Sequence, residues 1–434
     1  MGRISRVSLI IGLILFPTIL FAQFNNNTTS PYSRFGLGDL SSRSLGRTAA
    51  MGGASLASRN SLQINMANPA SYNSLDSLAF LFEFGINGKF SKFNSELEST
   101  GANDINFNYL AFNFRITPWM AASMGLTPYS DVGYNIEIYD YLENTGNFYT
   151  VYYGDGSLSR AYLGFAVEPY KNISLGANLN YLFGNLSHNS ELYFLDSPYF
   201  YNAQKYERVR IRQFGFDFGL QAILPLKNNQ KIIFGAVLEN KPEYRAFKSD
   251  IAQKNISISV PVGTSTTTVS DQDTINIQEE EKGKIKFPLT YGAGVSYVKE
   301  NEWEVNFDYY HQTWSDATFF GTINPVLTDL NKFAIGAEWI PDKFSIRSYI
   351  KRVAYRAGIK YEKSYLMLNN QQINDFGITF GIGLPIYRSS STINIAAELG
   401  RRGTKKDNLI EEKYAKLNLS VNLHDLWFIK RRYD

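Results

Sequence analysis

The stretch RQFGFDFGLQAIL, residues 212–224, alternates between apolar side chains and small or polar ones. Phe214, Phe216 and Phe218 share one parity, whereas Asp217 shares the other parity with glycines. A period of two places the two sets on opposite faces of a β-strand. We therefore predict a strand with one apolar face and one face of glycine and acidic residues.

The same alternation recurs from Leu78 to the end of the chain, for example in EWEVNFDYY, residues 302–310, and KFAIGAEWI, residues 332–340. It predicts fourteen strands, and an even number suits an antiparallel barrel whose two ends lie on the same side. The predicted strands are 78–90, 104–116, 119–138, 149–168, 171–195, 203–224, 230–247, 283–299, 302–318, 330–341, 346–364, 368–386, 391–402 and 413–425.

A soluble β-sandwich would alternate as well, but two further features favour a membrane barrel. Alternate connections are short, as at Thr117-Pro118, whereas one connection, residues 248–282, is very long. Tryptophan prefers the membrane–water interface, and four of the five lie beside the predicted short turns or the C-terminus: Trp119, Trp303, Trp339 and Trp427. We predict an all-β fold, a transmembrane antiparallel β-barrel of about 14 strands.

The composition excludes several classes of function. Lys and Arg total 43 against 40 for Asp and Glu, so there is no basic excess that would favour a nucleic-acid partner. Cysteine is absent and only three histidines occur, which removes thiolate chemistry and leaves no metal-site pattern. His311 lies near Ser315 without a recognisable catalytic motif. We therefore expect no enzyme activity, no cofactor and no metal.

The N-terminus, MGRISRVSLIIGLILFPTILFAQ, has two arginines, an apolar run and a small residue, Ala22, before Gln23. This is the pattern of a secretory signal peptide, and a retained anchor is the alternative. With a barrel to follow, it predicts export to the outer membrane of a Gram-negative cell. The expected organisation is a signal peptide (1–22), an N-terminal hatch (23–77), a β-barrel (78–425) and a periplasmic tail (426–434).

The segment before the first strand is unusual in a β-protein. LGRTAAMGGASLASRNSLQINMANPASY, residues 45–72, is rich in Gly, Ala, Ser and Asn and does not alternate. Wall side chains alone do not fill a barrel of fourteen strands, so this segment could fold back into the lumen as a hatch. A disordered periplasmic arm is the alternative, although the apolar residues in it argue against full disorder.

Charged side chains on the predicted inward face give the hatch possible partners. Four arginines of the segment could pair with acidic groups of the wall: Arg34, Arg43, Arg47 and Arg59. The candidate lumen-lining charged residues are Asp217, Glu304, Asp308, Glu338, Arg356 and Glu398. Such residues could instead line a water-filled channel.

Three motifs, SRFGLGDL (33–40), LGRTAAMGGAS (45–55) and INMANPASY (64–72), resemble the N-terminal region of the FadL family of outer-membrane transporters. The resemblance implies a fourteen-stranded barrel with a lumenal hatch and a lateral opening at a kinked strand. Two positions are candidates for that opening. In INFNYLAFNFR the alternation slips by one residue near Tyr109, which predicts a bulge, and the second position is Pro128. The candidate hatch and gate residues are Phe35, Leu37, Met51, Leu56, Asn68, Pro69 and Ala70.

The same resemblance implies passive uptake of small hydrophobic or amphipathic molecules of the fatty-acid or hydrocarbon type. The expected partners are then outer-membrane lipids and a hydrophobic ligand. A second branch that resembles this family does not transport and is the PorV-like component of the type IX secretion system. It implies, as the alternative, a non-transporting scaffold that binds cargo or secretion-system proteins. The polar stretch 248–282 has two β-prone runs, 256–262 and 274–277, and could be an extracellular hairpin that contacts such a partner. A solvated surface loop is the alternative.

Overall fold

The computed structural model describes residues 27–96, 98–196, 200–240, 242–262 and 265–426. The predicted signal peptide and Trp427 lie outside these residues. None of the helices in the described ranges is long and apolar enough to cross a membrane.

Fourteen antiparallel strands form a closed barrel, which confirms the predicted fold class. Each strand pairs with the next, and the last pairs with the first from Glu411 opposite Asn94 to Leu426 opposite Ala79. The wall strands are β1 (Ala79–Asn94), β2 (Ser99–Thr117), β3 (Met120–Leu142), β4 (Gly146–Tyr170), β5 (Ile173–Phe194), β6 (Asn202–Pro225), β7 (Gln230–Glu239), β8 (Thr290–Lys299), β9 (Trp303–Gln312), β10 (Leu330–Trp339), β11 (Ala354–Leu368), β12 (Gln371–Pro385), β13 (Thr392–Arg402) and β14 (Glu411–Leu426).

The elements outside the wall are short, apart from one hairpin. The 3₁₀ helices are Pro31–Arg34, Gly46–Met51, Pro69–Ser74, Trp314–Asp316 and Lys406–Asn408, the α-helix is Tyr349–Arg352, and the short strands are Asp39–Leu40, Thr318–Phe319 and Thr322–Ile323.

Two predicted strands are too long. The strand expected at 346–364 begins only at Ala354, and the strand expected at 302–318 ends at Gln312. In the first case the sequence SIRSYI is β-prone, but its neighbour β10 ends at Trp339, opposite Tyr355. Because a strand needs a partner for its backbone groups, the residues before Ala354 form a loop with a short helix.

The stretch 248–282 lies in a β-hairpin of Glu243–Val262 and Ser265–Lys286, which is the predicted hairpin and not the solvated loop. The first hairpin strand also pairs with Asn202–Ile211 of β6. The hairpin strands continue β7 and β8 after breaks at Pro242 and Pro288. The extension is therefore a continuation of the wall sheet, which protects the backbone of β6.

The barrel extends farther on the extracellular side than on the periplasmic side, chiefly because four of its strands are long. β3, β4, β5 and β6 have 23, 25, 22 and 24 residues, and the turn that joins β3 to β4 spans only residues 143–145. The ends of the wall at Ala79 and Leu426 and the short turns mark the periplasmic side. Trp119 and Trp339 lie at that side and are more than half exposed.

The outward faces carry the apolar belt and the inward faces the polar groups. Phe216 and Phe218 are 47% and 48% exposed, whereas Asp217 between them is buried. Inside the extracellular end lies an apolar cluster, the upper core, which includes Tyr32, Leu37, Phe287, Trp314 and Tyr365. Residues 27–77, the described part of the predicted hatch, lie inside the barrel. Tyr32 and Leu37 belong to the upper core, and most of the remaining hatch residues lie below it.

Candidate functional site: a lumenal cavity beside a gap in the wall

The hatch contacts the wall at pairs of glycines on neighbouring strands. Gly336 of β10 lies opposite Gly358 of β11, and a Cβ on either residue would overlap the backbone of Met51 or Gly52. Backbone cannot move aside as the end of a flexible side chain can, so this approach requires glycine. These inward glycines therefore receive the hatch and do not widen the lumen.

Two further glycine pairs contact the hatch, where Gly235 and Gly176 meet hatch backbone and their partners Gly294 and Gly219 meet side-chain atoms. Gly235 and Gly294 lie opposite each other on β7 and β8 and against Leu56. Gly176 and Gly219, on β5 and β6, lie opposite each other against the Asn-Pro-Ala segment. Five of the seven candidate hatch residues thus lie at the glycine pairs: Met51, Leu56, Asn68, Pro69 and Ala70.

The remaining two candidate hatch residues lie higher in the barrel. Leu37 is buried in the upper core, and the half-buried Phe35 packs against it. Tyr365 of β11 donates its hydroxyl to the Phe35 carbonyl at 3.2 Å and also to the carbonyl of Gly38. The hatch is therefore held at both of its ends, by different kinds of contact.

A buried ion-pair network joins the hatch to β9, β10 and β11. Arg47 donates to Glu338 through Nε at 2.7 Å and to Glu304 through Nη2 at 2.6 Å, while Arg356 donates to Glu338 at 2.6 Å. All four side chains are buried. Burial by itself lowers the pKa of Arg47, but the two carboxylates outweigh it and hold that pKa above its ordinary value.

The other hatch arginines pair less completely. Arg43 donates to Asp217 at 3.1 Å and to Glu239 at 2.6 Å. Burial lowers the pKa of Arg59 to about 10, since its nearest carboxylate is 3.9 Å away and it donates mainly to neutral oxygens. Arg34 lies over an aromatic ring of β4, 3.9 Å from its centroid.

The six candidate lumen residues divide into two groups. Four belong to the ion-pair networks of the hatch arginines. Asp217 accepts from Arg43, Glu304 and Glu338 accept from Arg47, and Arg356 donates to Glu338. The other two line a cavity. Asp308 accepts the backbone N–H groups of Ser55 and Leu56 at 2.5 and 2.8 Å, and Glu398 accepts from Lys360 at 2.6 Å.

The wall is interrupted between β2 and β3. Their last pair toward the extracellular side is Leu110 opposite Leu126. Beyond it, residues 99–109 pair with β1 and residues 127–142 pair with β4, but no pairing joins the two segments among the described residues. Leu110 lies opposite Phe84, in the apolar belt, so the gap opens at membrane depth and continues outward.

Two local features cause the gap, and both occur at positions that the sequence singles out. β2 has a register shift between Phe107 and Tyr109, which confirms the predicted bulge. β3 has a second shift between Pro128 and Ser130, where proline offers no N–H for a ladder. The two edges therefore diverge instead of pairing.

The first residues of the hatch bridge this gap. Asp39–Leu40 forms a short antiparallel pairing with β3 at Asp131 and Ser130. On the other side, Asn106 of β2 donates to the backbone carbonyl of Asn27. Unpaired backbone is costly at membrane depth, so the polar hatch segment satisfies part of both edges.

A cavity of about 310 Å³ lies behind the gap, between the upper core and the rest of the hatch. Its lining includes Phe107 and Pro128 from the gap and Leu45 from the hatch. Phe107 is also 44% exposed on the outer surface. The gap therefore borders both the lipid-facing surface and the cavity.

Seven basic and six acidic side chains line the cavity, but three of the cations have no acceptor. Arg160 is 9% exposed and lies 5.7 Å from the ring centroid of Tyr129. Neither it nor the half-buried Lys332 and Lys416 forms a hydrogen bond or ion pair with any residue in the described ranges. Because all three line the cavity, their donors can bind water or an acceptor group of a ligand there.

These three cations were not among the residues predicted from the sequence. Nor were Asp39 and Arg402, which form an ion pair at 2.7 Å. Arg160, Lys332 and Lys416 each occupy the inward parity of a wall strand. Alternation could have placed them in the lumen, but their position beside the gap depends on the register of strands far apart in sequence.

Comparisons with known proteins agree with this architecture. A family model described as BamG matches residues 4–434. Among solved structures, the chain resembles the P. putida toluene transporter TodX (TM-score 0.57, 16% identity, 89% of this chain and 99% of that one). It also resembles a Pseudomonas aeruginosa FadL homologue (0.56, 9%, 90% and 100%) and the Ralstonia pickettii toluene transporter TbuX (0.54, 14%, 92% and 99%). No curated protein sequence matches the chain.

Proposed function

The chain belongs to the BamG family, and from the likeness of its fold to toluene transporters and the geometry of its lumen we propose that it is an outer-membrane channel for passive uptake of amphipathic molecules. The observation that carries the proposal is the gap between β2 and β3, which borders the cavity and the lipid-facing surface through Phe107. A molecule with an apolar part can pass between the cavity and the outer leaflet there without entering water.

The lining of the cavity favours an amphipathic ligand over a plain hydrocarbon. Phe107, Pro128 and Tyr129 offer apolar surface near the gap. Arg160 and Lys416 offer N–H donors that no described residue accepts, and hydrogen bonds from charged donors favour an anionic acceptor. A fatty-acid-like molecule with its carboxylate toward these cations and its chain toward the gap satisfies both sets of groups.

Equilibrium binding to the full chain in detergent tests this proposal, with radiolabelled dodecanoate and uncharged dodecanol as probes. We expect Arg160→Met and Lys416→Met each to weaken dodecanoate binding at least about tenfold, because one charge-assisted hydrogen bond contributes about 1.5–3 kcal/mol. Dodecanol binding should change little. Lys92→Met, which alters an exposed lysine of β1, serves as the matched control.

A reversible tether tests the route through the gap. Leu40 and Ser130 lie directly opposite each other, a separation that suits a disulfide, and the chain has no other cysteine. We expect Leu40→Cys/Ser130→Cys to slow dodecanoate exchange when oxidised and to recover on reduction. Equal exchange rates in both states would reject passage through the gap.

A non-transporting scaffold is the second candidate, because the periplasmic half of the lumen is filled by the hatch at the glycine pairs. The extracellular hairpin Glu243–Lys286 offers a surface for a cargo or secretion-system protein. If neither probe binds saturably while a protein partner purifies with the intact barrel, the scaffold accounts for the observations better than uptake does.

A further inference from the structure

One periplasmic connection differs from the others. Residues 340–353, here called the rim loop, join β10 to β11, whereas each of the other described periplasmic turns between wall strands has six residues or fewer. The rim loop contains the α-helix Tyr349–Arg352. Neither the wall nor the hatch requires so long a connection between neighbouring strands.

The rim loop presents large apolar side chains to its surroundings. Phe344, Ile346 and Ile350 are 73%, 99% and 69% exposed, and Tyr387 of the next periplasmic turn is 69% exposed. Single exposed apolar residues are ordinary, but a cluster of them marks an interaction site. The described part of the chain covers none of the four.

Basic side chains accompany the apolar ones. The rim loop has four basic residues and one acidic residue, Asp342. The guanidinium of Arg352 lies 5.2 Å from the ring centroid of Tyr349, and Arg388 lies similarly over Tyr387. The basic residues of the loop are Lys343, Arg347, Lys351 and Arg352.

The loop lies at the lipid-facing edge of the barrel. Tyr355 has the outward parity of β11, and its hydroxyl donates to the backbone carbonyl of Ile350 at 3.2 Å. Its partner across the strands is Trp339, an outward residue that is 57% exposed. Tyr349 donates to the carbonyl of Pro385 at 3.0 Å. These bonds hold the helix beside the membrane interface.

We propose that the rim loop is a membrane-surface site, which binds anionic phospholipid of the periplasmic leaflet. Phe344, Ile346 and Ile350 insert among the acyl chains, and the basic residues contact the phosphate groups. Apolar side chains beside Lys and Arg are the composition of segments that lie in an interface, and each basic residue near an anionic surface adds about 1 kcal/mol. The loop thereby anchors the barrel at β10 and β11.

Site-directed spin labelling tests this site, because the full chain contains no cysteine. Single variants Ile346→Cys and Ile350→Cys carry the label, and Asp342→Cys in the same loop is the matched control. The labelled barrels are placed in vesicles of phosphatidylethanolamine with phosphatidylglycerol, or of phosphatidylcholine alone. Collision rates with oxygen, which enters the acyl region, and with a water-soluble nickel chelate report the surroundings of each label.

We expect the ratio of oxygen to nickel collisions to be several-fold higher at Ile346 and Ile350 than at Asp342, and higher with phosphatidylglycerol than without it. Arg347→Glu/Lys351→Glu should remove the dependence on phosphatidylglycerol. Nickel collisions at Ile346 equal to those at Asp342 would overturn the proposal. So would a label at Ile346 that is shielded from both reagents in native membranes but open to nickel in vesicles, since a protein partner would then cover the loop.

Discussion

The two halves of the lumen hold the same hatch in different ways. In the periplasmic half, hatch backbone lies directly on Gly336 and Gly358, and Arg47 forms a buried network with Glu304 and Glu338. In the extracellular half, the hatch spans a gap through short pairings and single side-chain bonds beside a cavity. Closely packed backbone cannot shift without overlapping the wall, whereas hydrogen bonds that are separate from one another can break one at a time.

This difference indicates which part of the hatch can move. Opening the gap requires the loss of the short pairing at Asp39–Leu40 and of the bonds at Asn27, each of which contributes about 1 kcal/mol, while Tyr32 and Leu37 stay in the upper core. Removing the periplasmic part of the hatch from the lumen would separate Arg47 from Glu304 and Glu338 and uncover the wall glycines at the same time. In the proposed uptake function a ligand would enter or leave through the gap while the rest of the hatch stays in place.

The largest expected effect is that of Arg47→Met. The substitution leaves Glu304 buried without its cation and Glu338 paired with Arg356 alone, and removing one partner of a buried ion pair costs about 3–5 kcal/mol. Unfolding by denaturant should show this loss in the free energy of unfolding. Lys231→Met, which breaks an exposed pair with Glu300, should cost less than about 1 kcal/mol.

Gly336→Val should have the next largest effect. Its Cβ would overlap the Met51 backbone, and overpacking of this kind costs about 1–3 kcal/mol or more. The denaturation midpoint of the refolded barrel measures it. The control is Gly88→Val on β1, where a Cβ meets nothing closer than 3.8 Å. Equal midpoints for the two variants would show that the hatch does not rest on the wall glycines.

Asp39→Asn should show a smaller, pH-dependent loss. Burial by itself raises the pKa of Asp39, but Arg402 and Lys89 outweigh it and hold that pKa below its ordinary value. The carboxylate therefore stabilises the fold above the unfolded-state pKa of about 4, and this contribution disappears as the pH falls through the lower folded-state pKa. We expect a deficit of about 2 kcal/mol near neutral pH that shrinks in acid; a constant deficit would contradict this.

The smallest effect on stability is expected for Asn27→Ala. Its side chain donates to Asp131 at 2.9 Å at the edge of the gap, and the loss of one such bond costs about 1 kcal/mol. Exchange of dodecanoate should nevertheless become faster, because the hatch segment is held less firmly. Gln272→Ala on the exposed hairpin should change neither property. Slower exchange in Asn27→Ala would reject the gating role of this segment.

Much of the wall could be predicted, because alternation is a local signal. Each of the confirmed signals depends on neighbouring residues only. These signals are the alternation of Phe216 and Asp217, the slip of alternation at Tyr109 and the proline at position 128. The errors occurred where a partner strand decides the outcome. Residues 346–353 are β-prone but lie beyond the end of β10. For residues 248–282 the sequence left a hairpin and a loop open, and the pairing of the two hairpin strands with each other and of the first with β6 decides for the hairpin.

The site was less predictable than the wall. Met51 and Leu56 were expected in the hatch, but their glycine partners are between about 180 and 310 residues away in the sequence, and no local pattern connects them. Asp217 and Glu338 were expected to face the lumen, yet alternation does not tell a residue that binds an arginine from one that faces water. Arg160 was missed for the same reason.

The sequence by itself determined the class of this protein. A period of two over fourteen segments, outward apolar side chains and a Gly/Ala-rich segment before the first strand specify a membrane barrel with a hatch, because each is a property of neighbouring residues. Only the tertiary structure decided where β2 and β3 separate, which cations lack an acceptor, and that the rim loop lies beside Tyr355. These features depend on contacts between residues far apart in the chain, which local periodicity does not encode.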